Sequence, residues 1–115
     1  MKILVIEDNP DIKEVLDYIL IDEGHDAIPC SDGSSLSNLD QLKPDIILID
    51  EVLGGVRGSD LIKKLKADKD KSSIPVVLIS AMPNLQDIAA RCGADAFLEK
   101  PFNIDSLTDI IKRLS

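Results

Sequence analysis

Runs of consecutive apolar residues, each bounded by polar residues, recur along the chain. The clearest are residues 3–6, 46–49 and 76–79, and a shorter run follows at residues 97–98. Short apolar runs without alternation are typical of strands that are buried on both faces of a sheet. With a weaker segment after His25, the pattern predicts strands at residues 2–6, 26–30, 45–49, 75–79 and 96–99.

Segments with helical spacing of apolar residues alternate with these strands. The first predicted helix follows Pro10, and Asp8 or Asn9 could cap its start. It ends at Gly24, a residue type that commonly terminates helices. Further helices are predicted at residues 34–42, 59–69, 84–92 and 104–114, and a flexible loop at residues 53–58. The alternation predicts one α/β domain, residues 1–115, built from βαβ units around a parallel sheet.

Chemically active side chains stand at the carboxyl ends of four predicted strands. Glu7 and Asp8 follow the first strand, Asp50 the third, Ser80 the fourth and Lys100 the fifth. Because parallel strands end at one edge of the sheet, these side chains are expected to converge there. Clustered carboxylates repel each other, so a divalent cation and a lysine are the natural compensating charges.

This set of residues resembles the receiver domain of bacterial response regulators. The matching segments cover essentially the whole chain and lie at residues 6–9, 44–50, 76–81, 93–97 and 100–102. Each segment is weak evidence alone, but all five in this order are specific. The resemblance implies a flavodoxin-like, doubly wound, five-stranded parallel sheet of order 2-1-3-4-5 with five helices. Strands 1 and 3 then flank the switch point at which such sheets bind ligands.

The resemblance assigns Asp50 as the phosphoacceptor. A carboxylate can attack a phosphoryl group and form a mixed anhydride, although an aspartate after a strand can also be a simple turn residue. Glu7, Asp8 and Asp50, with the backbone carbonyl of Val52, are implied to bind Mg²⁺, with Asp8 as the direct ligand. Mg²⁺ prefers oxygen ligands of this kind.

Three further positions match functional residues of the family. Lys100 is the implied phosphate ligand, Ser80 the implied hydroxyl donor to the phosphoryl group, and Phe97 the implied switch aromatic. A solvated lysine, a strand-end serine and a core phenylalanine are the alternatives. The chain departs from the family at Gly54, where proline is common, so the loop around it is expected to be more mobile than usual.

Composition limits the function classes. The net charge of −8, from 21 acidic and 13 basic residues, does not favour direct nucleic-acid binding. No apolar run approaches the roughly 18–20 residues needed to cross a bilayer, and the N-terminus does not resemble a signal peptide. We therefore expect a cytoplasmic protein with no membrane contact.

The expected function is that of a phosphoacceptor signalling switch, not of an enzyme acting on a diffusing substrate. It would take a phosphoryl group from a histidine kinase or a histidine phosphotransfer protein and signal to a downstream effector that the sequence does not identify. One alternative is a degenerate receiver that acts as an unphosphorylated interaction module. A flavin-binding module of the same fold is less compatible, because Glu7 and Asp8 would repel a phosphate after the first strand.

Overall fold

The computed structural model describes all of residues 1–115. In chain order the elements are β1 (Lys2–Ile6), α1 (Pro10–Asp22), β2 (Asp26–Cys30), a 3₁₀ segment (Gly33–Asn38), α2 (Leu39–Leu42), β3 (Ile46–Asp50), β4 (Val52–Leu53), β5 (Val56–Arg57), α3 (Gly58–Ala67), β6 (Val76–Ser80), α4 (Leu85–Cys92), β7 (Ala96–Glu99) and α5 (Ile104–Leu114). The main sheet has the order β2-β1-β3-β6-β7, and all of its neighbouring strands are parallel. The predicted order 2-1-3-4-5 is confirmed, with β6 and β7 as the fourth and fifth strands of this sheet.

The core consists of two apolar layers, one on each face of the sheet. Alternate residues of β1 enter different layers: Ile3 and Val5 pack with α1 and α5, whereas Leu4 and Ile6 pack with α3 and α4. Burial on both faces explains why β1, β3 and β6 are apolar without alternation.

The helices are short, and each packs one face against the sheet. In α5, Leu107, Ile110 and Ile111 are buried, while the rest of the helix is more exposed. Such spacing places the three residues on one face toward the sheet. None of the helices combines the length and the apolar composition that crossing a membrane requires.

The start of α1 leaves one acidic side chain available. The side chain of Asn9 caps the helix by accepting hydrogen bonds from the backbone N–H groups of Asp11 and Ile12, at 3.0 and 3.2 Å. Pro10 occupies the first helical turn, where a missing N–H costs little. Of the two capping candidates, Asn9 takes the role, so Asp8 is not needed as a cap.

Two segments differ from the sequence-based prediction. The predicted helix at 34–42 is a 3₁₀ segment followed by the single α-helical turn of α2. The hydroxyl of Ser37 donates to the carbonyl of Ser34, and such side-chain bonds compete with regular helix. The predicted loop at 53–58 contains the antiparallel hairpin β4–β5, with Gly54 at a φ of +64° in its two-residue turn.

Candidate functional site

Three carboxylates meet at the carboxyl edge of the sheet. Glu7 and Asp8 follow β1, and Asp50 ends β3, which pairs with β1 in parallel through Ile6 and Ile49. One oxygen of each carboxylate lies within 4.8 Å of the others. Glu7 and Asp50 are buried, with exposures of 1% and 5%, whereas Asp8 is exposed. The predicted convergence therefore gives a half-open acidic site.

Lys100 supplies the positive charge at this site. Its Nζ lies 2.7 Å from Oε1 of Glu7 and 3.1 Å from Oδ1 of Asp50. Its backbone N–H donates to the carbonyl of Ser80 at 2.9 Å, and the following peptide bond to Pro101 is cis. The lysine thus reaches from the end of β7 to the carboxylates beside β1 and β3.

Burial and charge shift the pKa values of this pair. Burial raises the pKa of Glu7 to about 7; the hydrogen bond from Lys100 lowers it, and the neighbouring Asp50 raises it. Burial by itself would lower the pKa of Lys100, but its hydrogen bonds to Glu7 and Asp50 raise the pKa above the ordinary lysine value. Lys100 therefore remains a cation between two carboxylates.

The donor set fits a divalent cation. Oε2 of Glu7 is buried and has no hydrogen-bond partner, and Glu7 is one of the three clustered carboxylates. Negatively charged oxygen atoms are the ligands that Mg²⁺ prefers. A bound cation would supply positive charge that a single lysine cannot provide to three acids.

The tip of the β4–β5 hairpin contacts Asp8. The backbone N–H of Gly54, at the tip of the hairpin, donates to Oδ2 of Asp8 at 3.1 Å. Val52, whose carbonyl is the further metal ligand implied by the resemblance, begins this hairpin, and its side chain is 59% exposed. The hairpin therefore brings a backbone N–H group to the acidic cluster.

Ser80 and Phe97 lie on adjacent strands beyond Asp50. Ser80 is buried at the end of β6, and its hydroxyl accepts a hydrogen bond from the backbone N–H of Met82 at 3.0 Å. Phe97 lies on β7 opposite Leu78 and is half-buried against the core layer of α3 and α4. The aromatic ring is thus neither fully inserted nor fully exposed.

Two residues near Asp50 were missed by the sequence analysis. Glu51 is buried, with both carboxylate oxygens hydrogen-bonded to Ser59. Gly58, the first residue of α3, lies so close to the end of β3 that a β-carbon there would overlap with the carbonyl oxygen of Asp50. Two sequence features could have pointed to them. Glu51 is an acid between a buried strand and the apolar pair Val52-Leu53, and Gly58 stands where a helix begins.

Loss of the Lys100 charge should destabilise the fold. In a Lys100→Ala variant without Mg²⁺, the free energy of unfolding is expected to fall by about 2–3 kcal/mol, because two buried carboxylates lose their donor. Mg²⁺ should restore part of this loss by binding the folded state. Urea unfolding with and without Mg²⁺ measures both effects. Lys69→Ala, at an exposed lysine without an ion pair, is the control, and an equally small loss in both variants would contradict the expectation.

Comparisons with known proteins agree with the fold and identify the family. Residues 3–112 match the response regulator receiver domain family. The DNA-binding response regulator MtrA of Mycolicibacterium smegmatis is 36% identical over 104 residues, which are 88% of this chain and 44% of that protein. The crystal structure of the receiver domain of NtrX from Brucella abortus is 35% identical with a TM-score of 0.87, covering 97% of this chain and 96% of that one.

A receiver domain within a larger signalling protein is also similar. The signal receiver domain of a signal transduction histidine kinase from Syntrophus aciditrophicus is 31% identical with a TM-score of 0.85, covering 98% of this chain and 88% of that chain. This chain spans less than half the length of the MtrA relative, which is named as a DNA-binding protein. The comparisons therefore do not support the expectation that direct nucleic-acid contact is absent. The match over residues 3–112, the sheet order and the relatives above together show that this chain belongs to the response regulator receiver domain family.

Proposed function

We propose that this chain is a phosphoacceptor switch in which Asp50 receives a phosphoryl group from a phosphohistidine of a histidine kinase or a histidine phosphotransfer protein. The observation that carries the proposal is the placement of Asp50. It ends a buried strand, its Oδ1 lies 3.1 Å from Nζ of Lys100, and its carboxylate is clustered with those of Glu7 and Asp8. A capping or turn aspartate would not need this combination of a half-buried cation and two further acids.

The reaction is a transfer between two nucleophiles. A carboxylate oxygen of Asp50 attacks phosphorus, the bond from phosphorus to the donor imidazole breaks, and an aspartyl phosphate forms. A bound Mg²⁺ would neutralise charge on the phosphoryl oxygens, as divalent ions do in other phosphoryl transfers. Glu7, Asp8 and Asp50 would hold the ion, with the carbonyl of Val52 as a further ligand.

Lys100 stabilises the charge of the product. In the structure its ammonium group already contacts Oδ1 of Asp50, so little rearrangement is needed for it to bind a phosphoryl oxygen there. A positive group fixed before the reaction costs no reorganisation when negative charge develops. The same site would admit water to hydrolyse the anhydride, so the chain would promote both its own phosphorylation and its own dephosphorylation.

The degenerate receiver remains the principal alternative. Such a module would bind its partner without phosphorylation and would have no need of a complete acceptor site. Here the two acids, the acceptor, the lysine and the strand-end serine are all present at one edge of the sheet. This completeness favours the phosphorylated switch.

Phosphoryl uptake from a small donor tests the proposal. With acetyl phosphate and Mg²⁺, intact-mass spectrometry is expected to show one phosphoryl adduct, which chelation of Mg²⁺ should abolish. Asp8→Asn should need more Mg²⁺ for the same uptake, because it loses the expected direct ligand. Glu14→Gln, at an exposed acid of α1, is the control. No adduct in the wild type, with or without Mg²⁺, would favour the degenerate receiver.

We further propose that Ser80 and Phe97 relay the signal. The Ser80 hydroxyl now accepts a hydrogen bond from the backbone N–H of Met82. A phosphoryl group on Asp50 would draw the hydroxyl away from that N–H. The half-buried Phe97 ring on the neighbouring strand could then move inward and gain apolar burial. The surface formed by α4, β7 and α5 would change as a result.

Ser80→Ala separates the relay from the chemistry. The variant should still accept a phosphoryl group, since Asp50 is intact. The changes in amide chemical shift that phosphorylation causes around residues 80–86 and 95–104 should be smaller than in the wild type. A beryllofluoride complex is a stable mimic for this measurement. Ser73→Ala, at an exposed serine in the loop before β6, serves as the control. Distant shifts of full size in Ser80→Ala would show that the signal takes another route.

A further inference from the structure

Glu51 is a buried carboxylate that the proposed reaction does not use. It stands between the acceptor Asp50 and Val52, is 4% exposed, and forms no ion pair. Burying a charged carboxylate is costly unless it is hydrogen-bonded. Its two oxygens accept hydrogen bonds from the backbone N–H of Ser59 at 2.7 Å and from the Ser59 hydroxyl at 2.9 Å.

These bonds join the end of β3 to the first turn of α3. The backbone adds two links: the N–H of Glu51 donates to Ile79 on β6, and the carbonyl of Glu51 accepts from Gly58, each at 2.9 Å. The carboxylate also lies at the N-terminus of α3, where the helix dipole favours negative charge. We call the side-chain and backbone bonds of Glu51 to Gly58 and Ser59 the Glu51 clasp.

The Glu51 clasp closes the base of the β4–β5 hairpin, because the hairpin residues 52–57 lie in the chain between Glu51 and Gly58. The hairpin has little other anchorage. Leu53 is its only buried residue, while Val52 and Val56 are 59% and 49% exposed. At the opposite end, the N–H of Gly54 binds Asp8. The segment is thus held at its base by one acid and at its tip by another.

We propose that Glu51 is a positioning residue for the metal site. The Glu51 clasp fixes the base of the hairpin. At the tip, the N–H of Gly54 binds Asp8, and Val52, whose carbonyl is the further ligand implied by the resemblance, directly follows Glu51 in the chain. Loosening the base would let these groups move away from the acidic cluster and would weaken Mg²⁺ binding. This inference rests on the proposed function for the identity of the bound ion. Groups that orient metal ligands commonly change metal affinity by 10–100-fold when they are removed.

Three substitutions of Glu51 separate hydrogen bonding from burial. Glu51→Gln keeps the length and an acceptor for the Ser59 N–H, so it should bind Mg²⁺ nearly as the wild type does. Glu51→Asp keeps the charge but is one methylene too short to reach Ser59 in the same way. Glu51→Leu removes the bonds entirely. For the last two, the half-saturating Mg²⁺ concentration is expected to rise on the order of tenfold.

Mg²⁺ titrations followed by the amide NMR signals of Gly54 and Gly55 provide the measurement, independent of any phosphorylation. Asp60→Asn, at an exposed acid in the same helical turn, is the matched control and should leave the titration unchanged. Leu65→Val destabilises the buried side of α3 without touching the clasp, and it should lower the melting temperature but not the Mg²⁺ affinity.

The outcomes are distinct. Wild-type Mg²⁺ affinity in Glu51→Asp would overturn the inference, and this variant decides the matter if Glu51→Leu fails to fold. A loss in Glu51→Gln as large as in Glu51→Asp, or an equal loss in Leu65→Val, would also overturn it. A wild-type chain that binds Mg²⁺ but accepts no phosphoryl group would overturn the proposed function and leave the Glu51 clasp intact.

Discussion

An Asp50→Asn variant is expected to accept no phosphoryl group from acetyl phosphate while keeping its fold. The substitution preserves the size and shape of the side chain but replaces the anionic nucleophile by a carboxamide, which does not form the anhydride. It also removes one of three clustered acids, so repulsion within the site falls. Intact-mass spectrometry compares the adduct in the two proteins, and far-UV circular dichroism checks the fold.

Asp45→Asn is the matched control for this experiment. Asp45 precedes the same strand at its other end, where its side chain accepts a hydrogen bond from the backbone N–H of Lys2 at 2.7 Å. It lies at the opposite edge of the sheet and should leave the adduct unchanged. Persistence of the adduct in Asp50→Asn would contradict the assignment of the acceptor.

Gly58→Ala is expected to destabilise the protein by about 3 kcal/mol, the upper part of the usual range for overpacked sites. The added β-carbon would collide with the carbonyl oxygen of Asp50 and would approach Cα of Glu51 to 3.2 Å. Both neighbours are backbone atoms, so they cannot rotate away as a side chain would. Relief requires the end of β3 and the start of α3 to separate.

Gly55→Ala gives the comparison for Gly58→Ala. A β-carbon at Gly55 has no neighbour within 4 Å, and this glycine does not adopt a positive φ. Its substitution should change stability by less than about 0.5 kcal/mol, as exposed positions usually do. Urea unfolding midpoints measure both variants. Equal midpoints would show that Gly58 is not packed against Asp50 as the structure describes.

The strands that carry the site could be predicted because burial determines their sequence. β1, β3 and β6 have apolar residues on both faces, so their runs stand out, and parallel pairing then brings Glu7 and Asp50 to one edge. Periodicity alone did not determine the strand order, which came from the family resemblance. The sequence also suggested Lys100 as a partner, but its contacts with both carboxylates depend on the path of the chain after β7.

Other features could not be predicted because they depend on contacts between distant or competing groups. Asp8 and Asn9 were equally plausible caps for α1, and only the backbone geometry selects Asn9. The Glu51 clasp requires Ser59 to fold back onto the strand end. The predicted helix around Ser37 gave way to a 3₁₀ segment because short polar side chains compete for the backbone.

The most direct measurement is chemical identification of the residue that carries the phosphoryl group. Wild-type protein is treated with acetyl phosphate and Mg²⁺, and the acyl phosphate is then reduced with sodium borohydride, which converts a phosphorylated aspartate into homoserine. Tandem mass spectrometry of the digest locates the converted residue. We predict homoserine at position 50 alone; conversion at Asp8 instead, or no conversion in protein that carries the adduct, would contradict the assignment of Asp50 as the phosphoacceptor.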